Sequence, residues 1–288
     1  MKTYQHLLLA VDINENNDAL IDEALALAKQ YGGTLSLVHV IPKVTALAPY
    51  AHAYEFHSSL VKHAKEVLNT LQEKYGLNAK QIHLVEGTPK HEITSFAHKI
   101  GADLIVCGSY GKHGLGLMLG SNANGILHCA GTDVLTVRIN QTGKRLAGFP
   151  YHNIVVATSA HEDNLDTLKR ASELAHSFNA TLHLIHVVAD IAALGCYSAV
   201  QFDLRDAAEK EFLKFIDTHK LDVKPENIHV RMGLPKQEIL HLATSVHAEL
   251  VVLGSHARRG LPATILGSTA NSVLHGAHSD VLVVRVHP

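Results

Sequence analysis

Tryptophan is absent from this sequence, and aromatic residues supply only 5% of it. Proteins that bind single-stranded nucleic acid stack bases on aromatic rings interleaved with basic side chains, so that class is disfavoured. An excess of charge of one sign is lacking too: 25 Lys and Arg face 27 Asp and Glu, for a net charge of -2. Binders of nucleic acid or anionic membranes usually carry a basic excess. Cysteine is scarce, with Cys107, Cys129 and Cys196 and no CxxC pair. An odd count without such spacing reads as reduced thiols in or near the core. No apolar run approaches the roughly 20 residues of a membrane-spanning helix. The run Leu7–Val11, ended by Asp12, is too short for the core of a secretory signal. The expectation is a soluble, cytoplasmic protein without nucleic-acid or membrane partners. The common nucleotide motifs are also missing: there is no GxxxxGK[ST], and no GxGxxG after a first strand.

What is present is repetition. With 288 residues and 47% hydrophobic content, the chain can fill about two cores. YQHLLLAVD from Tyr4 matches YHNIVVATS from Tyr151, and IHLVEGTPKHEI from Ile82 matches IHVRMGLPKQEI from Ile228. ADLIVCGSYGK from Ala102 matches AELVVLGSHAR from Ala248, and LGSNANGILHCAGTDVLTVR from Leu119 matches LGSTANSVLHGAHSDVLVVR from Leu266. The matches keep their order at an offset of 146 or 147 residues, which marks a duplication. The polar joint around Gly148 divides the chain into domains 1–147 and 148–288.

Within one copy, short apolar runs alternate with helical periodicity. Strands are expected over His6–Val11, Thr34–Ile41, Ile82–Val85, Leu104–Cys107 and Val134–Val137. Helices are expected from Asn17 or Asp18 to Gly32, from about Leu60 to Gly76, from Pro89 to Gly101, and over Ser121–His128. The second copy follows, with strands at Ile154–Ala157, Leu182–Val187, Ile228–Val230, Leu250–Leu253 and Val281–Val284. Such alternation predicts α/β architecture: two tandem Rossmann-like domains, each a five-stranded parallel sheet with helices on both faces. Right-handed crossovers allow the order 3-2-1-4-5, which reverses between strands 1 and 4. Open α/β sheets bind ligands at that switch point, outside the carboxyl ends of the strands.

Two features fall there. Asp12 follows strand 1, and a loop with glycines follows strand 4. The loop runs Gly108-Ser-Tyr-Gly111, then eight residues, then Gly120-Ser121 opening a helix. The second copy runs Gly254-Ser-His-Ala257, then nine residues, then Gly267-Ser268. Glycine permits close backbone approach, a helix N-terminus offers free N–H groups to phosphate, and the Ser121 or Ser268 hydroxyl can cap the helix or meet a phosphate. Lys112, His113, His256, Arg258 and Arg259 add positive character. A turn glycine plus a helix cap, which any α/β domain needs, would look similar.

The loop, Asp12, the GxP at Gly87-Thr88-Pro89 and Gly233-Leu234-Pro235, and the closing strand together resemble the universal stress protein family, in tandem form. The resemblance covers nearly all of both halves and implies the adenine nucleotide alpha hydrolase-like kind of fold. It also implies a stress-response regulatory or sensor protein whose ligand is ATP, or AMP or ADP, with Mg2+ as an accompanying ion. The implied nucleotide-binding positions are Asp12, Val40, Gly108, Tyr110, Gly111, Gly120, Ser121 and Asn122 in the first half, and Val187, Gly254, His256, Gly267, Ser268 and Thr269 in the second. The family's loop pattern is G-2x-G-9x-G-[S/T], and both halves depart from it. The first is one residue short. The second has Ser159 in place of the aspartate and Ala257 in place of the second glycine. Preserved residue identity favours the first half.

The departures keep two other readings open: a nucleotide-free interaction protein, with an apolar or a metal ligand, and a slow ATPase. No general base aimed at a γ-phosphate is evident, so no catalytic residue is assigned. The 23 histidines show no recognised metal spacing and read as surface or sheet-edge polar residues. Ser159 and His161 lack a G-x-S-x-G elbow. The strands Val134–Arg138 and Val281–Arg285 would each be a sheet edge that needs covering. In the family this strand pairs antiparallel with its equivalent in a second domain. The resemblance therefore implies an intramolecular pseudo-dimer, with a homodimer of tandems and regulatory protein partners beyond it.

Overall fold

The computed structural model describes residues 4–47, 52–110, 119–140, 142–189, 198–255 and 266–285. The chain divides into two compact units, Met1–Arg145 and Leu146–Pro288. The first is built from β1 (His6–Ala10), α1 (Asp18–Tyr31), β2 (Thr34–Ile41), α2 (Ala53–Tyr75), β3 (Ile82–Glu86), α3 (Pro89–Ile100), β4 (Leu104–Tyr110), α4 (Ser121–Cys129) and β5 (Asp133–Ile139). The second repeats this with β6 (Asn153–Ala157), α5 (Leu165–Phe178), β7 (Thr181–Ala189), α6 (Ser198–Thr218), β8 (Ile228–Gly233), α7 (Pro235–Ser245), β9 (Leu250–Gly254), α8 (Ser268–Leu274) and β10 (Asp280–Val284).

Within each unit every strand pairing is parallel. The first has the order β3-β2-β1-β4-β5 and the second the equivalent order β8-β7-β6-β9-β10. The expected order 3-2-1-4-5 thus holds in both. β1 carries Leu7, Leu8 and Leu9 in succession, all at 0% exposure. An unbroken apolar run suits a strand covered on both faces, and each such side chain contributes about 1.5–3 kcal/mol. α1 closes one face with Leu20, Ile21, Ala24 and Leu27, and α3 adds Ile93 and Ala97. β3, the outer strand, is only half-buried.

Polar groups lock the sheet margins in the same way in both units. The Tyr4 hydroxyl donates to Asp133 at 2.9 Å, and that of Tyr151 to Asp280 at 3.4 Å. Asp103 accepts the N–H groups of Gln5 and His6, and Glu249 those of His152 and Asn153. Arg145, at the end of the first unit, places Nη1 2.8 Å from the fully buried carboxylate of Glu23 on α1.

The GxP motif has a steric cause. Gly87 and Gly233 stand at φ of 154° and 147°, where L side chains are strained. A Cβ on Gly87 would also run into the Glu92 side chain, and one on Gly233 would lie 3.1 Å from Glu238 Oε1. The following proline occupies the first turn of α3 or α7, where its missing N–H costs nothing. This junction sets where α3 begins, and α3 forms one wall of the site below.

Candidate nucleotide-binding crevice

Between β1 and β4 the helices leave the sheet toward opposite faces, and a crevice opens at the strand ends. In the first unit it is a cavity of about 450 Å³. The exits of β1, β2 and β4 supply Asp12, His39, Val40 and Gly108; α3 supplies Pro89 and Ile93; the start of α4 supplies Gly120, Ser121, Asn122 and Ala123. The second unit has a matching cavity of about 200 Å³, lined by Ser159, His186, Val187, Pro235, Ile239, Gly254, Gly267, Ser268 and Thr269 among others. The structure therefore brings Asp12, Val40, Gly108, Gly120, Ser121 and Asn122 to one wall system, and Val187, Gly254, Gly267, Ser268 and Thr269 to the other. Tyr110 ends β4, paired with Ile139. Gly111 and His256 lie outside the described residues, as do Lys112, His113, Arg258 and Arg259.

One end of the first cavity is an acceptor end. Asp12 is half-buried. Its Oδ1 accepts from the backbone and side-chain nitrogens of Asn14, at 3.1 and 3.0 Å, and its Oδ2 has no partner among the described residues. The turn beneath it is held by the buried Asn17, whose amide donates to the carbonyls of Asp12 and Glu15. Asn17 precedes α1 but makes no side-chain cap. Its amide is committed to this turn instead. In the second unit Asn164 takes the same place, and its amide donates to Ser159 Oγ at 2.8 Å. The hydroxyl that replaces the carboxylate thus already accepts one bond from the loop, although Ser159 still lines the cavity.

The other end is a donor end. Gly120, at φ -61° and ψ 150°, precedes α4, and no side chain caps the helix. The capping role open to Ser121 is not taken. The N–H groups of Ser121, Asn122 and Ala123 belong to the first turn and lack intrahelical acceptors. They carry the positive end of the helix dipole. A Cβ added to Gly120 would meet nothing within 4 Å. Glycine here leaves the approach open; the backbone conformation does not demand it.

Two wall residues escaped the sequence reading. His39 on β2 is 8% exposed, and its Nδ1 lies 2.9 Å from the Val11 carbonyl. His186 on β7 repeats this, 3.1 Å from the Thr158 carbonyl, with its ring stacked on Phe212 at 5.2 Å. Both line their cavities, so neither is the surface or sheet-edge polar residue that the histidine count suggested. The recurrence LVHV and LIHV at the repeat offset was the available signal. Cys107 also lines the first cavity, but burial pushes its thiol up to about 12, so it is a neutral wall group and not a thiolate nucleophile. Among the described residues no three His, Cys, Asp or Glu side chains group to hold a metal ion, and no helix is long and apolar enough to cross a membrane.

A family model described as the universal stress protein family matches residues 3–138 and again 150–285. The chain belongs to the universal stress protein family. It is a tandem member, one family domain per half. It is 35% identical over 142 residues to universal stress protein A homolog 1 of Coxiella burnetii, which covers 46% of this chain and 96% of that protein. Universal stress protein E of Escherichia coli (strain K12) aligns over 99% of this chain and 95% of its own length, at 25% identity. Among solved structures, a universal stress protein from Archaeoglobus fulgidus DSM 4304 superposes with a TM-score of 0.67 at 22% identity, covering 99% of this chain and 97% of that one. The protein PA1789 from Pseudomonas aeruginosa PAO1 gives 0.68 at 19% identity, covering 98% and 93%. These two likenesses speak to the fold.

Proposed function

We propose that this protein is a stress-response regulator that binds an adenine nucleotide (ATP, ADP or AMP) in the crevice of its first unit. The observation that carries the reading is the polarity of that cavity. A carboxylate oxygen and a histidine stand at the strand ends, uncapped helix N–H groups stand at α4, and Val40, Ile93 and Ile126 supply apolar wall between them. Such a cavity suits a ligand with hydrogen-bond donors at one end, a flat apolar middle and an anion at the other. Its volume of about 450 Å³ lies in the ordinary range for small-molecule pockets, roughly 300–1,000 Å³, and the 200 Å³ of the second lies below it. The hydroxyl of Ser159 in place of a carboxylate points the same way, so the second unit serves as the nucleotide-free one in this reading.

The reading is of a sensor whose bound state is reported to protein partners. With no carboxylate cluster at hand, Mg2+ accompanying a nucleotide would take its ligands from phosphate oxygens and water. Association of the units through their last strands, self-association of the whole chain, and a cytoplasmic setting are further parts of the proposal. Sedimentation of the full chain, and of residues 1–147 and 148–288 expressed apart, tests the first two. The nucleotide itself is tested by calorimetry and thermal unfolding of the full chain with ATP and AMP at 1 mM. Binding with one site per chain, lost on substitution at Gly120 but kept on substitution at Gly267, is expected. No heat and no shift with either nucleotide would overturn the reading.

A further inference from the structure

We infer that His39 is a specificity-determining residue of the first cavity: its Nε2 accepts a hydrogen bond from the nucleoside half of the ligand. The inference rests on the nucleotide reading above and adds to it the group that selects the ligand. The geometry begins with the end of β1. Val11 N–H donates to the Val38 carbonyl at 3.0 Å, which ties the exit of β1 to β2. The Val11 carbonyl in turn lies 2.9 Å from His39 Nδ1. A carbonyl can only accept, so Nδ1 carries the proton. In a neutral imidazole the other nitrogen is then an acceptor. His39 Nε2 has no partner among the described residues, and the side chain lines the cavity with 8% of its surface exposed.

Asp12 Oδ2, at the exit of β1, is the second acceptor without a partner in the same wall. Two acceptors at one end select a ligand that presents N–H or O–H groups there. Within a nucleotide these are the exocyclic amine of the base or the ribose hydroxyls. An analogue that turns an acceptor toward His39 leaves two lone pairs facing each other with little water to separate them, and is rejected. The second unit offers an internal comparison. His186 is built in the same way on the Thr158 carbonyl, but a Ser159 hydroxyl that already accepts from Asn164 stands in place of the carboxylate. That cavity therefore lacks the carboxylate oxygen of the first.

Among the described groups lining the cavity, Asp12, Glu15 and the neutral Cys107 thiol are the ionisable ones besides His39, and the walls from α3 and α4 supply none.

The test uses the full-length protein, calorimetry, and three probes: ATP, ITP and 2′-dATP. ITP replaces the base amine by a carbonyl oxygen, and 2′-dATP removes one sugar hydroxyl. Two variants divide the side chain's functions. His39→Asn keeps a donor near Nδ1 and so keeps the bond to Val11, but has nothing at Nε2. His39→Gln places an amide near Nε2, which can accept. At pH 8, His39→Asn should unfold at the wild-type temperature yet bind ATP roughly ten- to a hundred-fold more weakly, while His39→Gln recovers most of the affinity. The wild-type preference for ATP over ITP should collapse in His39→Asn if the base amine is read, and that over 2′-dATP if the sugar is read. If wild type binds ATP but His39→Asn keeps both its affinity and its preference ratios, the role of His39 is refuted while the nucleotide reading stands. If wild type binds none of the three probes, the nucleotide reading fails and this inference with it.

Discussion

Replacing Gly120 by aspartate should make the protein no less stable and abolish its ligand. The site geometry sets these effects in opposite directions. Gly120 has an ordinary φ of -61°, and a Cβ there meets nothing within 4 Å among the described residues, so these leave room for a side chain. The residue is also the N-cap of α4, and that cap has no side-chain bond. Aspartate at an N-cap exceeds glycine by a few tenths of a kcal/mol, and a negative charge near the helix dipole adds about 0.3–1 kcal/mol. At roughly 2–4 °C per kcal/mol, the ligand-free protein should unfold about 1–5 °C higher. The ligand sees the reverse. A carboxylate about 4 Å from a phosphate oxygen repels it by about 4 kcal/mol at an effective dielectric constant near 20, close to a thousand-fold in affinity. For a ligand bound at 100 times its Kd, wild type gains about 2.7 kcal/mol, and the variant should gain almost none. Thermal unfolding with and without 1 mM ATP measures both quantities, with Gly120→Ala separating bulk from charge. A Gly120→Asp protein that keeps the wild-type ATP shift, or that unfolds several degrees lower without ligand, would refute the reasoning.

Three other outcomes follow from the geometry. Gly87→Ala should destabilise the first unit by about 1–3 kcal/mol, because it adds left-handed strain to a collision with Glu92; a urea midpoint within error of wild type would refute this. Arg145→Met leaves the buried carboxylate of Glu23 without its guanidinium and should cost about 3–5 kcal/mol, whereas the double change Glu23→Gln, Arg145→Met should recover part of the loss; a double-mutant cycle in denaturant reads the coupling. Burial holds the imidazoles of His183 and His229 below their ordinary value of 6.5, and in His229 the neighbouring His183 and Arg231 add to it. The two rings stack at 5.7 Å. A depressed histidine favours the neutral form in the fold, so its contribution is present above pH 6.5 and is lost as the pH falls toward the folded-state values. Urea midpoints at pH 8 and pH 5.5 should diverge in wild type and diverge less in His229→Gln, where the burial of His183 remains.

Several elements were legible because they are local. β2 runs from Thr34 to Ile41 as its apolar run suggested, and α4 begins at Ser121 as its position after Gly120 suggested. Strand ends were read short. β4 continues to Tyr110 and β5 spans Asp133–Ile139, because Ser109, Arg138 and Asp133 are polar yet buried. The Arg138 guanidinium reaches Ser109 Oγ at 3.1 Å, a pairing across two strands that no run of apolar residues announces. Of the two cap candidates, Asn17 and Asp18, the residue that precedes α1 is Asn17; it makes no side-chain cap, and its amide nitrogen donates into the turn under Asp12. That partner is set by how the turn folds.

The amino-acid order alone determined the duplication, the α/β alternation and the family resemblance, because these rest on periodicity and on spacings along the chain, whereas the strand order it only allowed. It also named Asp12, Gly108 and Gly120 as candidates for one site. Only the tertiary structure decided which crevice has room, that the Ser159 hydroxyl accepts from Asn164, and that His39 enters the wall with one nitrogen spoken for. Those facts depend on how far one side chain lies from another that is remote in sequence. Cavity volume and hydrogen-bond partnership are set by packing and are written in no single stretch of the chain.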